Sequence, residues 1–155
     1  MNKKKRFSIW KLLKLPPQFL YAIGLGPIHG RLVLLLTTTG RKSGKSRVTP
    51  LQYDEIDGDI YIGSVRGTKS DWYRNIVMNP KVSIRVKSRQ FEGKAEPITD
   101  RSRIADFLEI RLQRHPKMVG ALLQMAGVSK NPNRVELENY ATNRAMVIIR
   151  PCLEK

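Results

Sequence analysis

The sequence predicts an α+β domain built around a mostly antiparallel β-barrel, with a helical arm at the N-terminus and helices on its flank. Short runs rich in β-branched and aromatic residues follow one another closely, with hairpin-sized turns between them. Other segments have the apolar spacing of helices instead. The chain has 155 residues, of which 41% are hydrophobic, so it is long enough for one buried core.

The charge and the few metal-binding side chains restrict the partners. A net charge of +16 attracts anions, which leaves nucleic acid, an anionic membrane surface or a polyanionic small ligand. Cys152 is the only cysteine, so an internal disulfide is excluded and a cytoplasmic, reducing location is expected. Together with His29 and His115 it is too isolated for a zinc site, and no metal is expected.

Residues 1–30 form the first predicted unit, a basic amphipathic arm. Residues 3–6 are all lysine or arginine, and Ile9, Leu12 and Leu13 then share one face of a predicted helix. Two interpretations stay open, a peripheral contact with an anionic membrane or packing on the barrel. The apolar stretch that follows is well short of the ~20 residues that a membrane span needs.

Residues 31–155 form the second predicted unit, the barrel, and its first half is rich in strands. The first strand is a nearly continuous apolar run, as a buried strand requires. Pro50 places the second strand at an edge of the sheet, because proline cannot donate a ladder hydrogen bond. Asp57-Gly58 is typical of a hairpin turn. The three predicted strands cover residues 32–38, 48–56 and 60–65.

The second half of the barrel unit mixes helices with strands. A helix at 71–78 places Trp72 and Tyr73 on its apolar face, and Pro80 ends it. Asp100 can cap a second helix, and Gly127 ends a third. The remaining predictions are strands at 82–86, 91–97 and 145–149, and helices at 100–112 and 117–126.

The turn between the first two strands carries the strongest local motif. Thr37 to Arg47 contains three threonines, two glycines and four cations. Glycines allow backbone N–H groups to approach an anion, and arginine and lysine add charge-assisted hydrogen bonds. The pattern predicts a phosphate cradle, with a solvated cationic hairpin tip as the alternative. It is not a nucleotide-triphosphate loop, because Gly40 and Gly44 enclose three residues instead of four.

A second motif follows the third strand. Ser64 to Lys69 is a cationic loop that leads directly into the helix at 71–78. Free N–H groups at a helix N-terminus suit phosphate or ring carbonyls, and Arg66 and Lys69 add charge there. Trp72 could form a wall for a planar cofactor, and the alternative is that it belongs to the core.

Together these motifs, LTTTGRKSGKSRVTPL and DWYRNIVMNPKV, resemble the deazaflavin-dependent nitroreductases, also called F-420-dependent quinone or nitroreductases. The resemblance is strong over residues 33–89. It implies a split β-barrel of the FMN-binding type and hydride transfer from reduced coenzyme F-420 to a quinone, an enone or a nitro compound. It assigns no catalytic residue. The implied cofactor-binding residues are Arg41, Lys42, Ser43, Arg47, Ser64, Arg66, Lys69, Trp72 and Asn75.

The charge supports coenzyme F-420, whose phosphodiester and glutamate tail needs a cationic groove. Alternatives are a barrel that holds FMN or haem, and a non-enzymatic basic binding module. Nucleic acid is not expected, because the strand at 81–87 has cations without interleaved aromatics. Residues 111–127 contain no tyrosine, which argues against tyrosine-assisted nitroimidazole chemistry. The expected partners are a small electron acceptor, an anionic membrane contacted by the arm, and a second copy in a homodimer.

Overall fold

A computed structural model describes residues 33–153 of the chain. The predicted arm at residues 1–30, with its proposed membrane contact, lies outside these residues. Within the described range, no helix is both long enough and apolar enough to cross a membrane.

All strands of the described chain belong to one antiparallel sheet of seven strands in the order β2-β1-β5-β6-β7-β4-β3. Pro50 lies on β2, an edge strand, as predicted. Asp57 and Gly58 have positive φ angles of 53° and 86°, which the predicted hairpin turn requires. The strands are β1 (Val33–Thr39), β2 (Ser46–Gln52), β3 (Asp54–Ile56), β4 (Asp59–Ser64), β5 (Lys81–Val86), β6 (Arg89–Ile98) and β7 (Ala145–Pro151).

The sheet curls into a partly closed barrel because its two edge strands are consecutive in the chain. Tyr53 alone separates β2 from β3, although these strands lie at opposite ends of the strand order. The prediction of one strand over 48–56 was therefore wrong. The chain leaves β1 as its pairing partner and takes β4 instead, and the change of partner breaks the strand at the buried Tyr53. This closure confirms the predicted split barrel.

The inside of the barrel holds the first of two apolar cores. Leu34, Ile62 and Ile84 point inward from three strands and are fully buried. A helix packs against the same core with Trp72, Tyr73 and Ile76. This helix, α1 (Asp71–Met78), follows a single 3-10 turn at Gly67–Lys69. Val77 on the same helix is 56% exposed and lies outside this buried stripe.

Three further helices cover the outer face of the sheet and form the second core. β7 is buried on both faces, because Val147 faces the barrel interior and Ile148 faces the helices. Asp100 caps the first of these helices as predicted, its side chain accepting from the Arg103 N–H at 2.8 Å. The helices are α2 (Arg101–Arg114), α3 (Pro116–Met125) and α4 (Arg134–Ala141), and α4 was not predicted.

Candidate functional site

The β1–β2 hairpin places its cationic tip in solvent. Gly44 adopts the left-handed φ of 67°, and its N–H donates to the Gly40 carbonyl at 2.8 Å. A side chain at position 40 would also be crowded, because a Cβ there would lie 2.8 Å from the Ser43 hydroxyl oxygen and 3.2 Å from the Lys45 carbonyl oxygen. The tip is thus a tight, glycine-dependent turn. Its exposed side chains include Lys42, Ser43, Lys45 and Arg47.

Asn75 on α1 fixes the hairpin tip through one buried side chain. Its Oδ1 accepts from the Arg41 backbone N–H at 3.1 Å and from the Arg41 Nη1 at 3.2 Å. Its Nδ2 donates to the Thr38 hydroxyl at 3.1 Å. The carboxamide therefore makes three hydrogen bonds to β1 and the turn. Asn75 holds the loop in place, and the geometry leaves this side chain little capacity to bind a ligand directly.

Buried hydrogen bonds also fix the conformation of the second cationic loop, residues 64–69. The Ser64 hydroxyl donates to the Gly67 carbonyl at 2.6 Å and shares a hydrogen bond with the Ser70 hydroxyl at 2.9 Å. Gly67 has φ 57°, and a Cβ there would lie 2.7 Å from the Asn143 carbonyl oxygen. The loop therefore requires glycine at this point. Its exposed cations are Arg66 and Lys69.

The two cationic loops meet at the first turn of α1. Arg41 from the hairpin tip pairs with Asp71, the first residue of that helix, at 3.0 Å. Hydrogen bonding and charge from Arg41 hold the pKa of the Asp71 carboxyl below its ordinary value, with smaller contributions from Arg74 and Arg66. Arginines from the hairpin, the second loop and the helix thus all act on a single carboxylate, and this excess of cations over carboxylates suits an anionic ligand.

The nine predicted cofactor-binding residues fall into three groups by exposure. Arg41 is intermediate, with 21% of its side chain exposed. Three side chains are buried, and they fix the loop conformations or pack in the core. The exposed residues are Lys42, Ser43, Arg47, Arg66 and Lys69, and the buried ones are Ser64, Trp72 and Asn75.

Trp72 lies in the barrel core, which was the alternative interpretation of this residue. It is 8% exposed and meets the Tyr73 ring edge-on at a centroid distance of 6.1 Å. Both rings belong to the barrel core against which α1 packs, so their burial is explained by packing alone. In this position the Trp72 side chain does not present a surface on which a planar cofactor could lie.

Sequence reasoning missed Asp71 and Arg74 as members of the cluster. Asp71 is not among the predicted site residues, yet the structure pairs it with Arg41 at 3.0 Å. Arg74 donates from Nε to the Thr68 carbonyl at 3.1 Å and so links α1 to the second loop. The available signal was that Asp71 is the one acidic residue among the cations of residues 64–78, since opposite charges attract.

Two other features of the described residues were considered as sites. No three His, Cys, Asp or Glu side chains within 33–153 are grouped so that they could hold a metal ion. An open cavity of about 620 Å³ lies beside α3, and its lining includes Leu112, Lys117 and Lys130. It contains none of the predicted cofactor residues, and the cationic loops therefore remain the candidate site.

Comparison with solved structures supports the fold. The chain is similar to a reductase dependent on F-420-H2, at 23% identity and a TM-score of 0.50, over 75% of this chain and 92% of that one. It is also similar to a haem storage protein of Vibrio cholerae, at 14% identity and a TM-score of 0.54, over 90% of this chain and 92% of that one. At these identities the likeness shows the split-barrel fold and no more.

Sequence comparison identifies the family. The chain is 41% identical over 69 residues to an F-420H(2)-dependent quinone reductase of Mycobacterium tuberculosis, over 42% of this chain and 46% of the relative. It thus spans about half the length of the curated relatives that it matches. The family described as F-420H(2)-dependent quinone reductase matches residues 22–121, which contain both cationic loops. The chain therefore belongs to the F-420H(2)-dependent quinone reductase family.

Proposed function

We propose that this protein binds coenzyme F-420 across the two cationic loops and reduces a quinone with it. The observation that carries the proposal is the meeting of the loops at the first turn of α1, where Arg41 bonds both Asn75 and Asp71. Family membership gives the cofactor class, and the loops offer a surface on which its charged part can bind.

The exposed side chains fit the anionic part of this coenzyme. Its phosphodiester and glutamate tail need several donors with positive charge. Five exposed cations are available, three on the hairpin and two on the second loop. Hydrogen bonds between charged groups are stronger than those between neutral groups, and arginine can bind a phosphate through two donors at once. The five are Lys42, Lys45, Arg47, Arg66 and Lys69.

The reduced coenzyme supplies a hydride when it is bound, and the protein contributes position. Ser64 and Asn75 are buried supports that fix the loop conformations, so the cations are presented on a rigid frame. A preorganised frame lowers the entropy lost on binding. The charged loops would hold the tail, leaving the ring to be placed by its own contacts beside the acceptor.

Titration of the coenzyme tests the proposal. Lys42→Ala and Arg47→Ala should each weaken F-420 binding by about ten- to a hundredfold, as expected for a lost hydrogen bond between charged groups. Cofactor fluorescence measures the affinity, and thermal unfolding checks that both variants remain folded. The matched controls are Lys117→Ala and Arg85→Ala, exposed cations on α3 and on the end of β5 away from the hairpin tip. They should bind like the wild type.

A second measurement tests the reaction. The wild-type protein should oxidise reduced F-420 in the presence of a soluble quinone and not in its absence. Binding of both site variants within about twofold of wild type would contradict the assignment of the loops. Absence of quinone-dependent oxidation by a protein that binds the coenzyme would contradict the proposed reaction instead.

A further inference from the structure

The two side chains of the Arg41–Asp71 ion pair differ strongly in their exposure to solvent. The Arg41 side chain is 21% exposed, whereas the Asp71 side chain is 82% exposed. Arg41 donates two hydrogen bonds to the Asn75 Oδ1, one from its backbone N–H and one from Nη1. Its contact with Asp71 is through Nη2 alone, at 3.0 Å. No other hydrogen bond of the Asp71 side chain is seen in the described part of the chain. Asp71 can therefore rotate into solvent while Arg41 stays.

The position of Asp71 makes it a competitor for any anion at this site. Its carboxylate bonds Arg41 from the hairpin tip at 3.0 Å, and the charges of Arg74 on the same helix and Arg66 on the second loop also lower its pKa. An incoming phosphate that bonds Arg41 at Nη2 has to replace this carboxylate or share the donor with it. Exposed ion pairs are weak, because water and salt screen them, so replacement by a more highly charged group is feasible.

We propose that Asp71 is an internal anion that occupies Arg41 in the free protein and is displaced by the anionic part of the ligand. The proposal rests on the proposed function for the identity of the ligand and deepens it by adding a residue that sets specificity. Asp71 makes binding depend on the ligand's charge: a weakly charged anion gains little by replacing a carboxylate, whereas a phosphodiester with adjacent carboxylates gains contacts with several cations at once.

The opposite role is a clamp that holds Arg41 in its binding position. The two roles differ in the sign of one measurement. If Asp71 competes, its removal strengthens anion binding, whereas if it clamps, its removal weakens anion binding. Asp71 also lies in the first turn of α1, where a negative charge interacts favourably with the helix dipole and stabilises the helix. Under competition, Asp71→Asn therefore lowers stability slightly while it raises affinity, and a merely structural residue would not produce that combination.

Two probes separate this inference from the proposed function. Calorimetric titration with pyrophosphate and with F-420 is carried out at low salt on wild type, Asp71→Asn and Asp71→Glu. The expected result is about fivefold tighter binding of both probes by Asp71→Asn, from the loss of one nearby like charge. Asp71→Glu keeps the charge and should bind like wild type. Asp106→Asn is the matched control, because Asp106 is an exposed partner of an arginine on another helix, 2.7 Å from Arg134.

Each outcome decides one of the two claims. Unchanged or weaker pyrophosphate binding by Asp71→Asn overturns the inference, and so does an equal gain in Asp106→Asn, which would indicate a general effect of net charge. Failure of the wild type to bind F-420 overturns the proposed function, and the pyrophosphate titrations still decide the role of Asp71. Tighter pyrophosphate binding confined to Asp71→Asn supports the inference in either case.

Discussion

Asn75 joins three parts of the molecule through one carboxamide. It lies on α1, accepts two hydrogen bonds from Arg41 in the hairpin tip and donates one to Thr38 on β1. Asn75 is 4% exposed, so water cannot readily replace these bonds. A buried polar group that loses its partner carries the full cost of its desolvation.

Removing this carboxamide should lower both stability and coenzyme affinity. Asn75→Ala leaves the Arg41 N–H and the Thr38 hydroxyl without their partner, which costs about 1–3 kcal/mol of unfolding free energy. Urea unfolding measures that change. The control is Asn139→Ala, an exposed asparagine on α4, whose effect should stay within about 0.5 kcal/mol. Equal unfolding free energies for the two variants would show that Asn75 does not hold the hairpin.

The motifs predicted which residues gather at the site better than they predicted what each side chain does. Glycines and cations between two strands locate the hairpin tip, because tight turns and exposed charge have clear local signatures. Ser64 and Asn75 belong to the same motifs, yet their side chains point inward. Short polar residues occur both in ligand sites and in loop supports, and only their tertiary partners distinguish the two roles.

At the scale of elements, the second cationic loop is positioned by the turn before β7. The Arg144 Nη1 donates to the Val65 carbonyl at 3.3 Å, and the Asn143 carbonyl lies where a Cβ of residue 67 would be. Asn143 itself has φ 65°. Two left-handed residues therefore face each other across this contact, and the loop and the turn constrain one another.

Glu96 on β6 links that strand to α2 and β7, and it makes their association sensitive to acid. Its carboxylate accepts from the Arg103 Nη1 at 2.6 Å and from the Arg150 Nη1 at 2.7 Å. These hydrogen bonds, Arg103 first, lower its pKa from 4.5 to about 2. A carboxyl with a lowered folded-state pKa stabilises the protein above its unfolded-state pKa, and that contribution is lost as pH falls through the folded value.

The pH dependence of the unfolding free energy tests the contribution of Glu96 to the association of β6, α2 and β7. Glu96→Gln should be less stable than the wild type near neutral pH, and the difference should shrink between about pH 4.5 and pH 2. The measurement is the unfolding free energy by urea at several pH values. A difference that is constant across this range would mean that the charge of Glu96 contributes nothing to the association.

The predicted elements were most accurate where local signals were strong. Alternation and turn residues located the strands, whereas the break at Tyr53 depends on pairing partners that are distant in the chain. α4 was missed although Asn133 and Glu136 form a capping box before it. Its eight residues bury only Leu137 and Ala141, so the apolar periodicity is weak.

At the scale of the whole molecule, fold and charge act together. The split barrel is shared with a reductase dependent on F-420-H2 and with a haem storage protein, so the architecture alone does not select a ligand. The net charge of +16 and the two cationic loops favour the more anionic ligand. FMN has one phosphate group, whereas the F-420 tail continues past its phosphate into several carboxylates. Discrimination should therefore depend on the tail and on salt.

Calorimetric titration with F-420 and FMN at two salt concentrations tests this account most directly. Exposed charge contacts weaken as salt rises, because the Debye length falls to ~8 Å at physiological ionic strength and further above it. The account predicts that F-420 binds more tightly than FMN at low salt and that this advantage shrinks at high salt. Tighter binding of FMN at both salt concentrations would contradict the assignment of the cationic loops to the F-420 tail.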